Sequence, residues 1–125
     1  MNKRNIILIG MPGAGKSSVG VILAKVLGYE FIDTDLVIQH REKRLLREII
    51  ADEGNEGFLA IENEVNATLE ADKSVIAPGG SAIYGKEAME HFKEIGTIVY
   101  LKLSYEDLAK RLGNLKGRGV VLKEG

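Results

Sequence analysis

The chain contains no cysteine in its 125 residues. Disulfide bonds, thiolate metal sites and thiol nucleophiles are therefore excluded together. No histidine is spaced from acidic residues in the way that a zinc site requires. A protein without disulfides suits a reducing compartment, so the sequence favours the cytoplasm.

The chain also lacks an excess of charge of either sign. Its 17 lysines and arginines are opposed by 18 aspartates and glutamates, which gives a formal net charge of −1. Proteins that bind nucleic acid or anionic membranes through their overall field carry a clear excess of positive charge. We therefore expect small-molecule partners, with no nucleic acid and no membrane, and a monomer because nothing signals assembly.

Long apolar runs are missing as well. The N-terminal apolar run, residues 6–9 after Asn5, stops at Gly10 and is too short for a signal peptide or a membrane span. Apolar residues still make up 45% of the chain, which is enough to form one hydrophobic core. Because no repeat, low-complexity tract or linker divides the sequence, we expect one domain over residues 1–125.

Strand and helix patterns alternate along the chain. Continuous apolar runs predict buried strands at residues 6–9, 31–32, 74–77 and within 96–103. Helical spacing predicts helices between and after these strands. The first helix has the apolar stripe Val19, Ile22, Leu23, Val26 and Leu27 and is ended by Gly28. The second has the stripe Leu45, Leu46, Ile49 and Ile50, and the third, after a break at residues 52–57, has the stripe Phe58, Ile61, Val65 and Leu69. The last two helices are predicted at residues 86–95 and 104–112. This alternation indicates an α/β fold, a three-layer α/β/α sandwich with a parallel sheet of four recognisable strands.

A glycine-rich loop, residues 10–17, joins the first strand to the first helix. Its sequence, Gly-Met-Pro-Gly-Ala-Gly-Lys-Ser, matches the motif G-x-x-x-x-G-K-[ST] in full. The backbone N–H groups of such a loop form an anion nest, to which the helix adds the positive end of its dipole. Lys16 can reach the β- and γ-phosphates, and Ser17 is placed to ligate Mg²⁺. The loop predicts a P-loop NTPase that binds ATP and Mg²⁺ through Gly10, Gly13, Ala14, Gly15, Lys16, Ser17 and Ser18.

Two aspartates and two glycines come after the next two strands. Asp33 and Asp35 follow the second strand, and Gly79 and Gly80 follow the third. Because ligands of open α/β sheets bind outside the carboxyl ends of the strands, these residues should face the phosphate loop. Two aspartates at i and i+2 on a strand end point the same way, so one could accept the proton of an acceptor hydroxyl while the other holds the metal's waters. The alternative is that Asp33 and Thr34 only cap the next helix.

Further features resemble one family of small-molecule kinases. The phosphate loop is followed by Phe-Ile-Asp-Thr-Asp at residues 31–35. Other shared positions are Glu48, Ile49, Ile50, Gly54, Phe58, Ile61, Glu62, Gly79, Gly80, Arg111 and Arg118. With these residues nearly the whole chain resembles the shikimate kinase family, and the Asp-Thr-Asp element is much more specific to it than the loop alone.

The resemblance implies an ATP- and Mg²⁺-dependent phosphotransferase that converts shikimate to shikimate 3-phosphate in aromatic amino-acid biosynthesis. It also implies a nucleoside-monophosphate-kinase-like fold. In the family pattern Asp35 takes the acceptor hydroxyl and Asp33 the metal's water shell. Gly79 and Gly80 lie against the substrate and the γ-phosphate.

The resemblance also implies a lid at the C-terminal end. Residues 113–125 are rich in glycine and lysine without helix or strand periodicity, so we expect a mobile segment. Arg118 would be the lid arginine that reaches over ATP, and Arg111 lies on the nucleotide side. Family members continue into another helix, a fifth strand and an adenine-contacting loop. We expect that this sequence, which stops at Gly125, is either a fragment or a domain of four strands.

The acceptor side departs from the family pattern. The family has an arginine directly after Phe58, where it pairs with the shikimate carboxylate, but Leu59 stands there. Leu59 also lies about 100° from the apolar stripe of its helix, so we expect it to line the acceptor pocket and make it less cationic. Ser81 replaces the last of the family's three glycines, and Asn55 replaces a glutamate.

Four functions therefore compete at the level of sequence. The leading one is a shikimate kinase, and the second is a kinase for another small polyol without a carboxylate, which Leu59 favours. The third is a non-catalytic nucleotide-binding module, which the missing C-terminal elements favour. The fourth is a nucleotide-hydrolysing switch, which Pro78-Gly79-Gly80 at the third strand end disfavours because a switch has an acidic motif there.

Overall fold

The computed structural model describes residues 4–10 and 16–101, with only the backbone of Lys16. Four parallel strands alternate with helices in the described part of the chain. The strands are β1 (Asn5–Gly10), β2 (Glu30–Asp33), β3 (Ser74–Ala77) and β4 (Gly96–Leu101). The helices are α1 (Lys16–Leu27), α2 (Thr34–Glu42), α3 (Leu46–Ala67) and α4 (Lys86–Ile95), with a 3₁₀ turn at Ala82–Tyr84 that the sequence did not predict. The expected order of strands and helices is confirmed.

The strands form one sheet in the order β2-β3-β1-β4. The register pairs Asp33 with Ala77 and Gly10 with Leu101. Because all pairs are parallel, the carboxyl ends of the strands lie along the same edge of the sheet. Gly10 and Asp33, which the sequence singled out, lie at this edge.

Each face of the sheet has its own hydrophobic cluster. On one face, the strands pack against α1 through Leu8, Val19, Ala24, Val75 and Leu101. On the other face they pack against α4 through Ile7, Ile9, Ile76 and Phe92. Successive β1 residues point to opposite faces, which is why a strand buried on both sides reads as a continuous apolar run. The three-layer α/β/α sandwich is confirmed.

The prediction for α1 was right in extent and partly wrong in its stripe. The helix ends before Gly28, which adopts a φ of +73° and so provides the expected left-handed cap. Val26 and Leu27 are 48% and 43% exposed, whereas Ala24 is buried. The inward face therefore runs through Val19, Leu23 and Ala24 rather than through the end of the predicted stripe.

The helices between β2 and β3 break at a place that the sequence did not predict. The chain leaves α2 at Lys43, whose φ is 57°, and Leu45 precedes α3 as its cap and is exposed. The apolar spacing that we assigned to one helix thus crosses a helix boundary. The predicted interruption at residues 52–57 is a kink at one residue, Gly54, with φ 79° and ψ 173°. That conformation is accessible in practice only to glycine.

Several predicted features lie outside the described residues. These are residues 11–15 of the phosphate loop, the helix at 104–112 and the lid at 113–125. Within the described ranges, none of the helices combines the length and the apolar character needed to cross a membrane. The residues that the sequence assigned to the acceptor, Asp35, Leu59, Gly79 and Gly80, fall within the described part of the chain.

Candidate active site

The phosphate loop lies between two described elements. Gly10 ends β1, and the first residue of α1 is Lys16. Ser17 and Ser18 are exposed in the first turn of that helix, at the edge where the strands end. The predicted strand before the loop and the predicted helix after it are therefore confirmed, whereas Gly13, Ala14 and Gly15 lie outside the described residues.

The two aspartates do not sit together on a strand end. Asp33 is the last residue of β2, and its Oδ1 accepts a hydrogen bond from the Asp35 N–H at 2.9 Å. Asp35 lies in the first turn of α2. The predicted i, i+2 arrangement on a strand was wrong, because Asp33 serves as the helix cap that we had kept as the alternative. Thr34 plays no such part, since its hydroxyl is buried without a hydrogen-bond partner among the described residues.

Asp35 nevertheless faces Gly79, the first residue of the glycine pair. A Cβ added to Gly79 would lie 2.9 Å from Asp35 Oδ1 and 3.0 Å from Glu62 Oε2. The absence of a side chain at Gly79 is therefore what lets the two carboxylates approach the backbone after β3. A Cβ added to Gly80 would meet nothing within 4 Å, so this residue borders open space.

Glu62 is a buried carboxylate on α3. It is 2% exposed, and its Oε1 accepts a hydrogen bond from the Ser81 hydroxyl at 2.7 Å. Its Oε2 has no hydrogen-bond partner among the described residues. Burial raises the pKa of the Glu62 carboxyl, the Ser81 hydrogen bond lowers it, and the charge of Asp35 raises it, with a net increase.

Sequence reasoning named Glu62 only as a position shared with the family. A signal was present, because Glu62 interrupts the inward face of its helix between Phe58 and Val65. A charged residue on a buried face needs a partner or a function. Ser81, which holds it, was noted only as a departure from three glycines.

Leu59 lines a cavity of about 290 Å³ next to this cluster. The described residues around the cavity come from α3, the 3₁₀ turn and the start of α4: Leu59, Ala60, Glu62, Asn63, Ser81, Ala82, Tyr84, Gly85, Lys86 and Glu87. Lys86 is the one cation in this described lining. Leu59 therefore lines a cavity, whereas Asp35, Gly79 and Gly80 are not among the described residues of its lining, so its place in the acceptor pocket stays a prediction. The apolar stripe beside Leu59 packs against Ile38 and Ile49 instead.

The metal and lid residues are less completely described. No group of three or more histidine, aspartate or glutamate side chains within residues 4–10 and 16–101 could hold a metal ion. Ser17 and Asp33 are the oxygen donors that the sequence assigned to Mg²⁺, and both lie at the carboxyl edge of the sheet. Arg111 and Arg118 lie outside the described residues.

Comparison with known proteins places this geometry in a family. The family model described as shikimate kinase matches residues 12–124. The chain belongs to the shikimate kinase family. It is 38% identical over 109 residues to shikimate kinase 2 of Yersinia pseudotuberculosis serotype O:3 (strain YPIII), covering 87% of this chain and 63% of the relative. The chain thus spans about three fifths of the length of such family members.

Solved structures of the family agree with the fold. The shikimate kinase of Acinetobacter baumannii, in complex with shikimate, is 35% identical with a TM-score of 0.73 and covers 96% of this chain and 68% of its own. The Bacteroides thetaiotaomicron shikimate kinase is 32% identical with a TM-score of 0.71, covering 87% of this chain and 62% of its own. The APS kinase of Mycobacterium tuberculosis, at 20% identity and a TM-score of 0.55, shares the fold alone.

The glycine pair of this family member gives a stability prediction. Gly79→Ala is expected to lower the free energy of unfolding by about 1–3 kcal/mol, because the added methyl group displaces two carboxylates, one of them buried. Gly80→Ala is the matched control and should change it by less than about 0.5 kcal/mol. Neither glycine has a positive φ, so backbone strain does not enter the comparison. Urea unfolding measures both, and equal stabilities would mean that the carboxylates do not crowd Gly79.

Proposed function

We propose that this chain transfers the γ-phosphoryl group of ATP to a hydroxyl of a small molecule, with shikimate as the acceptor and shikimate 3-phosphate as the product. The observation that carries the proposal is the position of Asp35, beside Gly79 at the sheet edge where the phosphate loop begins. Membership of the shikimate kinase family supports the acceptor, as does the relative from Acinetobacter baumannii, whose structure contains shikimate.

Asp35 is the proposed catalytic residue. Its carboxylate would accept the proton of the 3-hydroxyl, and that oxygen would form a bond to the γ-phosphorus as the bond to the ADP oxygen breaks. Gly79 and Gly80 would lie against the acceptor, since one borders the Asp35 carboxylate and the other borders open space. Leu59 would form the wall of the acceptor pocket.

The proposed ATP-binding residues lie mainly in and next to the phosphate loop. We propose that Lys16 supplies positive charge at the β- and γ-phosphates and that the loop backbone and first helical turn bind the other phosphate oxygens. The proposed ATP-binding residues are Gly10, Gly13, Ala14, Gly15, Lys16, Ser17, Ser18, Arg111 and Arg118. The exposed first turn of α1 beside the end of β1 supports this assignment.

Mg²⁺ fits the donors on this edge. Ser17 offers a hydroxyl, and Asp33 uses Oδ1 for the helix cap, so its second carboxylate oxygen is the one that could face the waters of a metal ion. Oxygen donors in small number are what Mg²⁺ takes from a protein when phosphates supply the rest. When bound, Mg²⁺ neutralises charge on the β- and γ-phosphates.

A second candidate is a kinase for a small polyol without a carboxylate. The observation that favours it is Leu59, which brings an apolar side chain to the cavity beside Glu62. A carboxylate that enters this part of the cavity loses hydration without gaining an arginine fork. The two candidates differ in how they respond to a cation at position 59.

Leu59→Arg is expected to raise the affinity for shikimate by about tenfold to a hundredfold, because a charge-assisted pair contributes on the order of 1.5–3 kcal/mol. A neutral polyol should bind the variant less well, since an unpaired guanidinium would be buried. Leu59→Lys should recover less than arginine, because a point charge cannot form the bidentate fork. Titration calorimetry with shikimate and with an uncharged cyclic polyol measures these changes.

Glu62 complicates the comparison because it lines the same cavity and offers the new arginine an internal partner. Tight shikimate binding by the wild type that Leu59→Arg leaves unchanged would contradict the prediction. The carboxylate would then belong to another cation, and Lys86 is the candidate within the described lining.

A coupled ADP-release assay tests the proposed function. Shikimate and a series of small polyols are offered with ATP and Mg²⁺ to this chain and to one that continues past Gly125. Shikimate-dependent ADP release supports the leading proposal, and release with polyols alone supports the second. ATP binding without release in both proteins would indicate a non-catalytic nucleotide-binding module.

The domain organisation, cellular location, partners and oligomeric state of the chain are further proposals. We propose one domain over residues 1–125, with 113–125 as the lid, and a cytoplasmic monomer without nucleic-acid or membrane partners. The near-neutral net charge of −1 supports the absence of nucleic-acid binding. Light scattering and gel filtration with and without ATP would test the oligomeric state.

A further inference from the structure

The cavity beside Leu59 is lined by charges of opposite sign that come from different helices. Glu62 contributes a carboxylate from α3, and Lys86 contributes an ammonium group from the start of α4. Asp35 adds negative charge near Glu62, because oxygens of the two carboxylates lie 2.9 and 3.0 Å from the position of a Cβ added to Gly79. An anionic group of a ligand is therefore repelled beside Glu62 and attracted beside Lys86.

The ammonium group of Lys86 keeps its donors for a ligand. Lys86 is exposed, and it forms no salt bridge with another described residue. The neighbouring carboxylate, Glu87, has a partner of its own, because its Oε1 accepts a hydrogen bond from Asn63 Nδ2 at 2.9 Å. That hydrogen bond, more than the charge of Lys86, lowers the pKa of the Glu87 carboxyl. Lys86 is thus the cation that this part of the cavity offers to an anion.

Contacts between α3 and α4 fix the place of Lys86. Asn63 Oδ1 accepts a hydrogen bond from the Ala88 N–H at 2.9 Å, which ties the first turn of α4 to α3. A Cβ added to Gly85 would collide with Asn63 Oδ1, so the glycine lets the two helices come this close. The positive end of the α4 dipole lies at the same place and also favours an anion there.

The cavity has room for one small ring. Its volume of about 290 Å³ is close to the lower limit of about 300 Å³ for ligand pockets, and Leu59 and Ala60 give it apolar surface. We propose that Lys86 is a specificity-determining residue, whose ammonium group binds a carboxylate on the ring of the acceptor. The site then prefers a small ring with one carboxylate to a neutral polyol.

Lysine makes a weaker contact with a carboxylate than an arginine fork does, because its charge is compact and cannot form two parallel hydrogen bonds. The contribution of Lys86 is therefore smaller than the gain expected from Leu59→Arg. The two cations contribute separately, so that gain is still expected when Lys86 is present.

The inference rests on the proposed function, and its test measures binding, which needs no turnover. Calorimetry compares shikimate with its primary amide, which has the same ring and nearly the same shape but no negative charge. Wild type should bind shikimate about threefold to tenfold more tightly, because the charge-assisted contact is made to an exposed ammonium group. This preference should shrink when the salt concentration rises from about 0.05 M to about 0.5 M.

Lys86→Gln should remove most of the preference by weakening the binding of shikimate, and it should leave the affinity for the amide unchanged. Lys86→Arg should retain the preference, because it keeps the positive charge. Lys93→Gln is the matched control, since Lys93 is also exposed on α4 and lies about 10 Å further along the helix. It should discriminate as the wild type does, and ATP affinity should not change in any of the three variants.

Four results would overturn the inference. They are binding of neither ligand or equal binding of both by the wild type, a preference that survives in Lys86→Gln, a preference that salt does not weaken, and an equal loss in Lys93→Gln, which would indicate a general field. Discrimination without turnover would instead contradict the proposed function and leave the role of Lys86 supported. Turnover of shikimate without discrimination would overturn the role of Lys86 alone.

Discussion

Asp35→Asn is expected to lower the rate of phosphoryl transfer by about a hundredfold to ten-thousandfold, the range that a positioned general base contributes. The amide has nearly the shape of the carboxylate but cannot accept the hydroxyl proton. ATP affinity should stay within about twofold, because Asp35 lies beside Gly79, on the proposed acceptor side. Steady-state kinetics with shikimate, together with nucleotide titration, measures both quantities.

Asp72→Asn provides a matched control for Asp35→Asn. Its carboxylate is 45% exposed and pairs with Arg4 at 2.7 Å, just before β3 and away from the carboxyl edge of the sheet. A surface ion pair of this kind contributes at most about 1 kcal/mol to stability, so activity should be retained. If Asp35→Asn loses ATP binding together with turnover, Asp35 belongs to the metal side of the site and the proposed proton transfer is wrong.

Lys16→Ala is expected to lower kcat/KM for ATP by on the order of a hundredfold or more, because it removes the full positive charge that we propose the phosphate loop places at the β- and γ-phosphates. Nucleotide affinity should fall with it. Fluorescent-nucleotide titration and the ADP-release assay measure the two effects.

Lys25→Ala on the last turn of the same helix is the control and should behave as wild type, since this residue is exposed and far along α1 from the loop. Unchanged ATP affinity and turnover in Lys16→Ala would end the interpretation of residues 10–17 as a phosphate-binding loop.

Local patterns predicted much of the fold. Strand β3 and helix α4 have the predicted bounds, because a short apolar run ending at Pro78 and an amphipathic stretch between two glycines carry their own limits. The same reasoning missed the end of α2. The apolar spacing of Leu45 and Leu46 continues across Lys43, and only the left-handed backbone at that residue separates the helices.

The site was predictable in outline and not in its contacts. Parallel strands place Asp33, Asp35 and Gly79 at one edge, and this follows from topology alone. That Asp33 caps α2 depends on local backbone geometry. The hydrogen bond between Ser81 and Glu62 joins residues that are 19 positions apart in sequence, and no periodicity within either segment encodes it. Contacts of this kind come from how α3 packs beside the 3₁₀ turn that follows β3.

The central claim is that ATP phosphorylates an acceptor hydroxyl at the Asp35 site, and product analysis by ³¹P NMR tests it most directly. The chain is incubated with ATP, Mg²⁺ and shikimate, with Asp35→Asn in parallel. We predict one phosphomonoester on the 3-hydroxyl of shikimate for each ADP formed by the wild type, and almost none with the variant. ADP accompanied only by inorganic phosphate, or equal product from wild type and Asp35→Asn, would contradict the claim.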